Sequence, residues 1–264
     1  FIGYQTPTIG DTIMLDPNKE TIVVWFSCGA ASAVAAKKTI EIWGGSFNIR
    51  VVNNPIKEED SDNLRFLKDV EKWIGTTIEF ANNSQYPTCS AVDVWDKKKY
   101  MSGIAGAPCT LELKKKARQQ WEKVNTFHHV VLGFTKDEQK RHDRFIQTER
   151  QLLPVLIDLG LTKADCFKIL ADANIELPNI YKLGYPNANC IGCVKATSAT
   201  YWNLVREKHP EVFSARAEQS LRIGAKLCTY KGERIQLTEL PPDAKGRPLK
   251  NLHVECGIFC EEKF

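Results

Sequence analysis

Short apolar runs alternate along the chain with amphipathic stretches. Thr21 to Phe26 is a β-rich run ending at Ser27-Cys28-Gly29-Ala30-Ala31-Ser32, after which Ala33, Val34, Ala35, Ala36 and Ile40 follow an Ala-rich helical pattern. The order then repeats. Phe47 to Val52 reads as a strand, Asn53 to Asn63 as a polar approach, and Leu64, Phe66, Leu67, Val70 and Trp73 as a helix ending near Gly75. Ile78 to Phe80 suits a third short strand. Asn82 to Cys109 loses periodicity and reads as a long connection over a site. Leu111 to Val124 predicts a Lys-rich helix. His129 to Leu132 predicts a strand that delivers Gly133-Phe134-Thr135-Lys136-Asp137-Glu138 to its carboxyl end, where open α/β sheets bind ligands.

From Gln151 the pattern changes. Lys163 to Ala171, Tyr201 to Lys208 and Glu211 to Ile223 predict helices, Pro178 and Gly184-Tyr185-Pro186 break the chain, and the last forty residues carry few long elements. The fold expected is α/β: an open, mostly parallel sheet with helices on both faces, Rossmann-like, joined to a helical and irregular cysteine-bearing part. The division expected is a nucleotide-binding core at 1–150 and a carboxyl-terminal part at 151–264 packed on it.

Composition narrows the class. Of 264 residues 43% are apolar and 26% charged, which excludes a disordered or collagenous chain. Lys and Arg exceed Asp and Glu by 36 to 32, a net charge of +4 too small to name a nucleic-acid partner but compatible with anionic ligands. There is neither an 18-residue apolar run nor a basic leader at Phe1, so a soluble cytoplasmic protein with no membrane partner is expected. Nine cysteines are too sparse for a secreted disulfide framework, and their odd number precludes complete internal pairing.

Two features bear chemistry. Ser27 to Ser32 offers consecutive backbone amides, a flexible Gly29 and two hydroxyls before a helix, an arrangement that can wrap a phosphate or can simply be a close-packed turn. It is neither a Walker loop nor a dinucleotide fingerprint. Cys190-Ile191-Gly192-Cys193 is a C-x2-C pair able to hold zinc or iron–sulfur once other cysteines join it; Cys109, Cys190, Cys193 and Cys260 form such a set, leaving Cys256 for chemistry or as the alternative ligand. Cys28, Cys89, Cys166 and Cys228 read as buried, inert thiols.

These segments together resemble the adenine nucleotide alpha-hydrolase superfamily, whose fold is of the HUP type. The loop is similar to its PP-loop, S-G-G-x-D-S, with Cys28 for the first glycine and Ala31 for the acid. The missing acid argues against metal-assisted ATP cleavage more than against phosphate recognition. Gly133, Asp137, Glu138, Lys140, Arg141 and Arg144 resemble the later motif that closes over the nucleotide, although Lys136 to Arg144 also reads as a solvated face. The cysteines resemble those of iron–sulfur phosphoadenylyl-sulfate and adenylyl-sulfate reductases: Pro108-Cys109-Thr110 through Lys114, then Asn189 to Lys195, then Lys245-Gly246-Arg247 followed by Glu255-Cys256-Gly257-Ile258-Phe259. The chain departs from those enzymes in having one cysteine where they have an adjacent pair, Phe259 for a histidine, and Cys260 added.

The resemblance implies a [4Fe-4S] cluster, with zinc as the metal alternative, and an adenine nucleotide as substrate or ligand. In the reductase reading the Cys256 thiolate attacks the sulfonyl sulfur of adenylyl sulfate or phosphoadenylyl sulfate, and thioredoxin, glutaredoxin or Cys260 releases sulfite. The loop residues Ser27, Cys28, Gly29, Ala30, Ala31 and Ser32 with Gly133 hold the nucleotide, and Lys114, Arg141, Arg144 or Arg247 offset its charge. The rival is an ATP-dependent sulfurtransferase acting on a nucleobase or nucleic acid, with Lys114 to Arg118 and Trp121 as the contact face. A third reading keeps nucleotide binding without turnover. A homo-oligomer is compatible with each.

Overall fold

In the computed structural model, which describes residues 15–103, 106–149 and 151–249, Thr21–Phe26 is strand β1, buried at every position. Successive strand side chains point to opposite faces, so Ile22, Val24 and Phe26 enter one apolar layer and Val23 and Trp25 the other. β1 lies between β2 (Asn48–Asn53) and β4 (His129–Val131), with β3 (Ile78–Phe80) outside β2 and β5 (Leu152–Leu153) outside β4. All four pairings are parallel. The resulting order β3-β2-β1-β4-β5 is that of an open, doubly wound sheet.

The layers follow from side-chain size and period. On one face α1 (Ala30–Trp43) buries Ala30, Ala33, Val34, Ala35 and Ala36, small residues that bring its backbone close to the sheet. Beside it α2 (Asn63–Ile74) buries Phe66, Leu67, Val70 and Ile74 and stops at Gly75, whose φ of +72° suits a residue without Cβ. Between β3 and β4 come α3 (Ala91–Lys98), the single turn α4 (Pro108–Thr110), a π-helical segment Leu111–Lys115, and α5 (Lys116–Glu122). Trp121 from α5 and Phe145 from α6 (Gln139–Phe145) cover the opposite face of the sheet with Val23, Trp25, Val52 and Val130.

The α/β layers continue past residue 150. β5, α7 (Val155–Asp158) and α8 (Lys163–Asp172) all follow it, and Val155, Leu156, Cys166 and Leu170 share the apolar cluster of α1 and α2. Beyond them α9 (Asn179–Lys182), α10 (Ala199–Lys208), α11 (Pro210–Ile223) and a hairpin of β6 (Cys228–Tyr230) and β7 (Glu233–Ile235) form the cysteine-bearing region. Its core joins Trp202, Val205 and Leu227 to Val94, Trp95 and Met101, so the connection between β3 and β4 packs into this region and carries α3 rather than running irregularly. Among the described residues no helix is long and apolar enough to cross a membrane.

Candidate functional site

The sheet order changes direction between β1 and β4, and the loops leaving the carboxyl ends of these two strands meet. Such a crevice is where open α/β sheets take ligands. A Cβ placed on Gly133 would lie 2.7 Å from the Ser32 backbone nitrogen and 2.9 Å from its Cα, so glycine is required for the chain after β4 to rest on the first turn of α1. Ser32 ties the other side: its Oγ donates to the Gly29 carbonyl (2.9 Å) and accepts from the Ser27 N–H (3.1 Å). Ser27 is exposed at the mouth, and Gly29 opens α1 with no side-chain cap, leaving its first amides for another acceptor.

One such acceptor comes from α9. The Tyr181 hydroxyl accepts hydrogen bonds from the Ala30 and Ala188 backbone N–H groups, and burial pushes its pKa up to about 12. The Tyr181 ring packs edge-on to Phe167 of α8. Lys163 lies over both rings and donates to the Pro186 carbonyl (2.5 Å) and to Asn187 Oδ1 (2.9 Å). The segment leading to Cys190 is thereby fastened to the Ser27–Ser32 loop.

Cys28 stands inside the loop with a φ of +54°, a left-handed conformation that costs a non-glycine residue about 1–2 kcal/mol. Its thiol is buried. Burial first and the Glu59 charge second push it well above the usual cysteine range, against the opposing pull of Lys114 and the Asn53 amide, whose Nδ2 lies 3.6 Å from Sγ. Lys114 Nζ lies 3.9 Å from Glu59 Oε1, with both side chains at most 10% exposed. The π-helical segment explains that burial: its wider turn keeps Glu112, Leu113 and Lys114 all inside, where Glu112 pairs with Lys98 and Lys116. Lys114 and Glu59, the latter read from sequence as part of a polar approach, thus act by charge on the Cys28 thiol of a loop that has no carboxylate of its own.

The other residues expected to offset the nucleotide's charge are Arg141, Arg144 and Arg247. Arg141 is on α6, paired with Glu138 (2.8 Å) and stacked over Phe134. Arg144 is exposed on the same helix, and Arg247 is exposed beside α10, where its carbonyl accepts from Ser198 Oγ. The nucleic-acid face expected from Lys114 to Arg118 and Trp121 is split, with Lys115 and Lys116 partly exposed and the other residues turned inward. Lys114 and Arg118 are buried, Arg118 pairs with Glu122 and Glu149, and Trp121 packs edge-on to Trp25. Trp95 and Phe134 are buried packing residues as well.

Cys190 and Cys193 line a small cleft with Tyr185, Asn189 and Tyr201. The loop is fixed by three bonds: Ile191 N–H to the Glu58 carbonyl (2.9 Å), Cys193 N–H to the Tyr201 hydroxyl (2.8 Å), and that hydroxyl to the Cys190 carbonyl (3.3 Å). Cys109 packs against the same apolar cluster. Among the described residues no group of three or more His, Cys, Asp or Glu is arranged to hold a metal ion. Cys256 and Cys260, with Phe259, lie outside the described residues. What the structure adds is Arg216, 3% exposed on α11, with its Nε buried without a partner beside the loop.

No protein-family model and no curated protein matches the chain. Among solved structures, the U34-tRNA thiolase NcsA from Methanococcus maripaludis with its [4Fe-4S] cluster is similar at a TM-score of 0.41 and 9% identity, over 81% of this chain and 74% of that one.

The buried thiols give a pH dependence. Burial, reinforced by Asp165 and other nearby carboxylates, pushes Cys166 up to about 12, and burial pushes Cys228 up to about 11. In the unfolded chain these thiols ionise near their usual value of about 8.5. The stability they contribute is complete below that pH and is lost as pH rises toward 11–12. Thermal melts across pH 8 to 11 are expected to show a falling midpoint, and Cys166→Ala is expected to make the fall shallower; an unchanged slope in that variant would remove Cys166 as a cause.

Proposed function

We propose that the chain is an adenine-nucleotide-binding enzyme of the PP-loop kind. The observation that carries this reading is the seating of Gly133 on Ala31 and Ser32 at the point where the sheet order reverses, which leaves the Ser27–Ser32 loop and the start of α1 at the crevice expected to receive phosphate. Lys114 supplies positive charge from beneath the loop.

Within that class the reading favoured is nucleotide-activated sulfur transfer, with MgATP as substrate. An acceptor oxygen attacks the α-phosphorus, pyrophosphate leaves, and a sulfur nucleophile then displaces AMP from the activated carbon. Glu59 favours this reading because it returns to the loop a carboxylate of the type that orients Mg²⁺-bound phosphates. The second reading, reduction of an adenylyl sulfate through Cys256, rests on the sequence Glu255 to Phe259. In either case a [4Fe-4S] cluster, or zinc, would require Cys109 to be drawn to Cys190, Cys193 and a carboxyl-terminal cysteine, since the described residues group no three such ligands, and once held there it would organise the pocket and tune it electrostatically.

The test uses anaerobically purified protein. Titration calorimetry with ATP, adenylyl sulfate and phosphoadenylyl sulfate is expected to show binding of at least one of them. Absence of binding by all three overturns the reading. Pyrophosphate release from ATP on addition of acceptor and sulfide supports sulfur transfer. Sulfite release from either sulfate ester with a dithiol supports the reductase instead.

A further inference from the structure

Arg216 is a buried cation whose charge the described residues leave unpaired. It projects from α11 at 3% exposure, its guanidinium 4.3 Å from the centroid of the Trp95 ring, with Nη1 donating to Gln219 Oε1 at 2.7 Å. Nε has no hydrogen-bond partner, and among the described residues no carboxylate forms an ion pair with the side chain. Glu58 acts on it from beyond ion-pair distance, as do Cys190, Cys193 and Tyr201. The unpartnered Nε faces the C-x2-C loop: a Cβ on Gly192, whose φ is +68°, would lie 3.6 Å from it.

A guanidinium cannot escape burial by losing its proton, and a buried charge without a counter-charge is costly. Stacking on Trp95, one bond to a neutral amide and the more distant Glu58 carboxylate leave that charge without a directly paired anion. The groups at hand that become anionic when they bind a metal are the thiols of Cys190 and Cys193. A tetrathiolate zinc site and a tetrathiolate [4Fe-4S] centre both carry net negative charge.

We infer that Arg216 is the counter-charge of an anionic, thiolate-bound metal centre anchored on Cys190 and Cys193. This rests on the metal reading given under the proposed function and adds a positioning residue to it from a helix that bears no ligand. Arg216 acts through charge on the loop, beside outer partners of the kind that set metal retention.

The experiment compares wild type, Arg216→Met and Arg216→Lys, each purified without oxygen. Iron, acid-labile sulfide and zinc are measured, followed by the rate of metal release to a chelator. Wild type is expected to hold metal, Arg216→Met to release it roughly tenfold faster or more, and Arg216→Lys to stay within about threefold of wild type. If the metal is an iron–sulfur cluster, Arg216→Met is also expected to lower its midpoint potential, because the lost positive charge favoured the more negative, reduced state. A metal-free wild type overturns the metal reading and the inference with it. A metal-loaded wild type whose Arg216→Met variant matches it in release rate and potential overturns the inference alone. Where Arg216→Met does not fold, Arg216→Lys decides: it keeps the charge and loses the planar stack on Trp95, so release as fast as tenfold over wild type overturns the inference.

Discussion

Gly133→Ala is expected to disable nucleotide binding and to destabilise the chain by about 1–3 kcal/mol, the usual range for overpacking. The added methyl would meet backbone atoms of Ala31 and Ser32 at 2.7–3.0 Å, and no side-chain rotation relieves a contact with backbone. Either the first turn of α1 or the strand end must move, and each movement opens the loop that Ser32 ties to Ser27 and Gly29. Gly45→Ala is the control, since a Cβ there meets nothing within 4 Å. Denaturant unfolding and calorimetry on the two variants are the measurements. Wild-type nucleotide affinity in Gly133→Ala would show that the ligand does not use this loop.

Lys114→Met is expected to lose both stability and nucleotide affinity, for separable reasons. The Lys114–Glu59 pair is nearly buried, and removing one partner of a buried pair typically costs about 3–5 kcal/mol because the other charge is left behind. Glu59→Gln in the same chain is expected to restore most of that stability, because no buried carboxylate then remains to be compensated. It is not expected to restore nucleotide affinity, which needs positive charge opposite the phosphates. Recovery of binding in the double variant would mean that Lys114 serves only to neutralise Glu59.

The sheet was legible because parallel strands buried on both faces read as apolar runs, and Thr21–Phe26 and His129–Val131 lie where that pattern places them. The loops after them were legible as polar segments at strand ends. Burial of charge was not. Glu58-Glu59-Asp60 reads as a solvated run, yet Glu58 caps α3 by accepting from Ser90 Oγ and the Ala91 N–H, and Glu59 turns to Asn63 and Lys114. Periodicity also fails across Leu111–Lys115, where the π turn shifts which side chains face inward, so Lys114 and Trp121 read as surface and are buried. Arg216 gave no signal at all, because an arginine in an amphipathic helix reads as solvent-facing. α3 hid behind Pro87 and the irregular composition before it, although Ser90 followed by Asp93 carries a helix-start pattern.

Tyr181 has a consequence for how the two halves of the site are used. Its one hydroxyl is bonded to the first amide of the helix that the phosphate is proposed to reach and to the chain two residues ahead of Cys190. An anion that competes for the Ala30 amide therefore also alters what holds the thiol-bearing loop. Thermodynamic reciprocity then fixes the return effect: whatever free energy nucleotide binding adds to or takes from metal retention through this phenol, metal binding must add to or take from nucleotide affinity in equal measure.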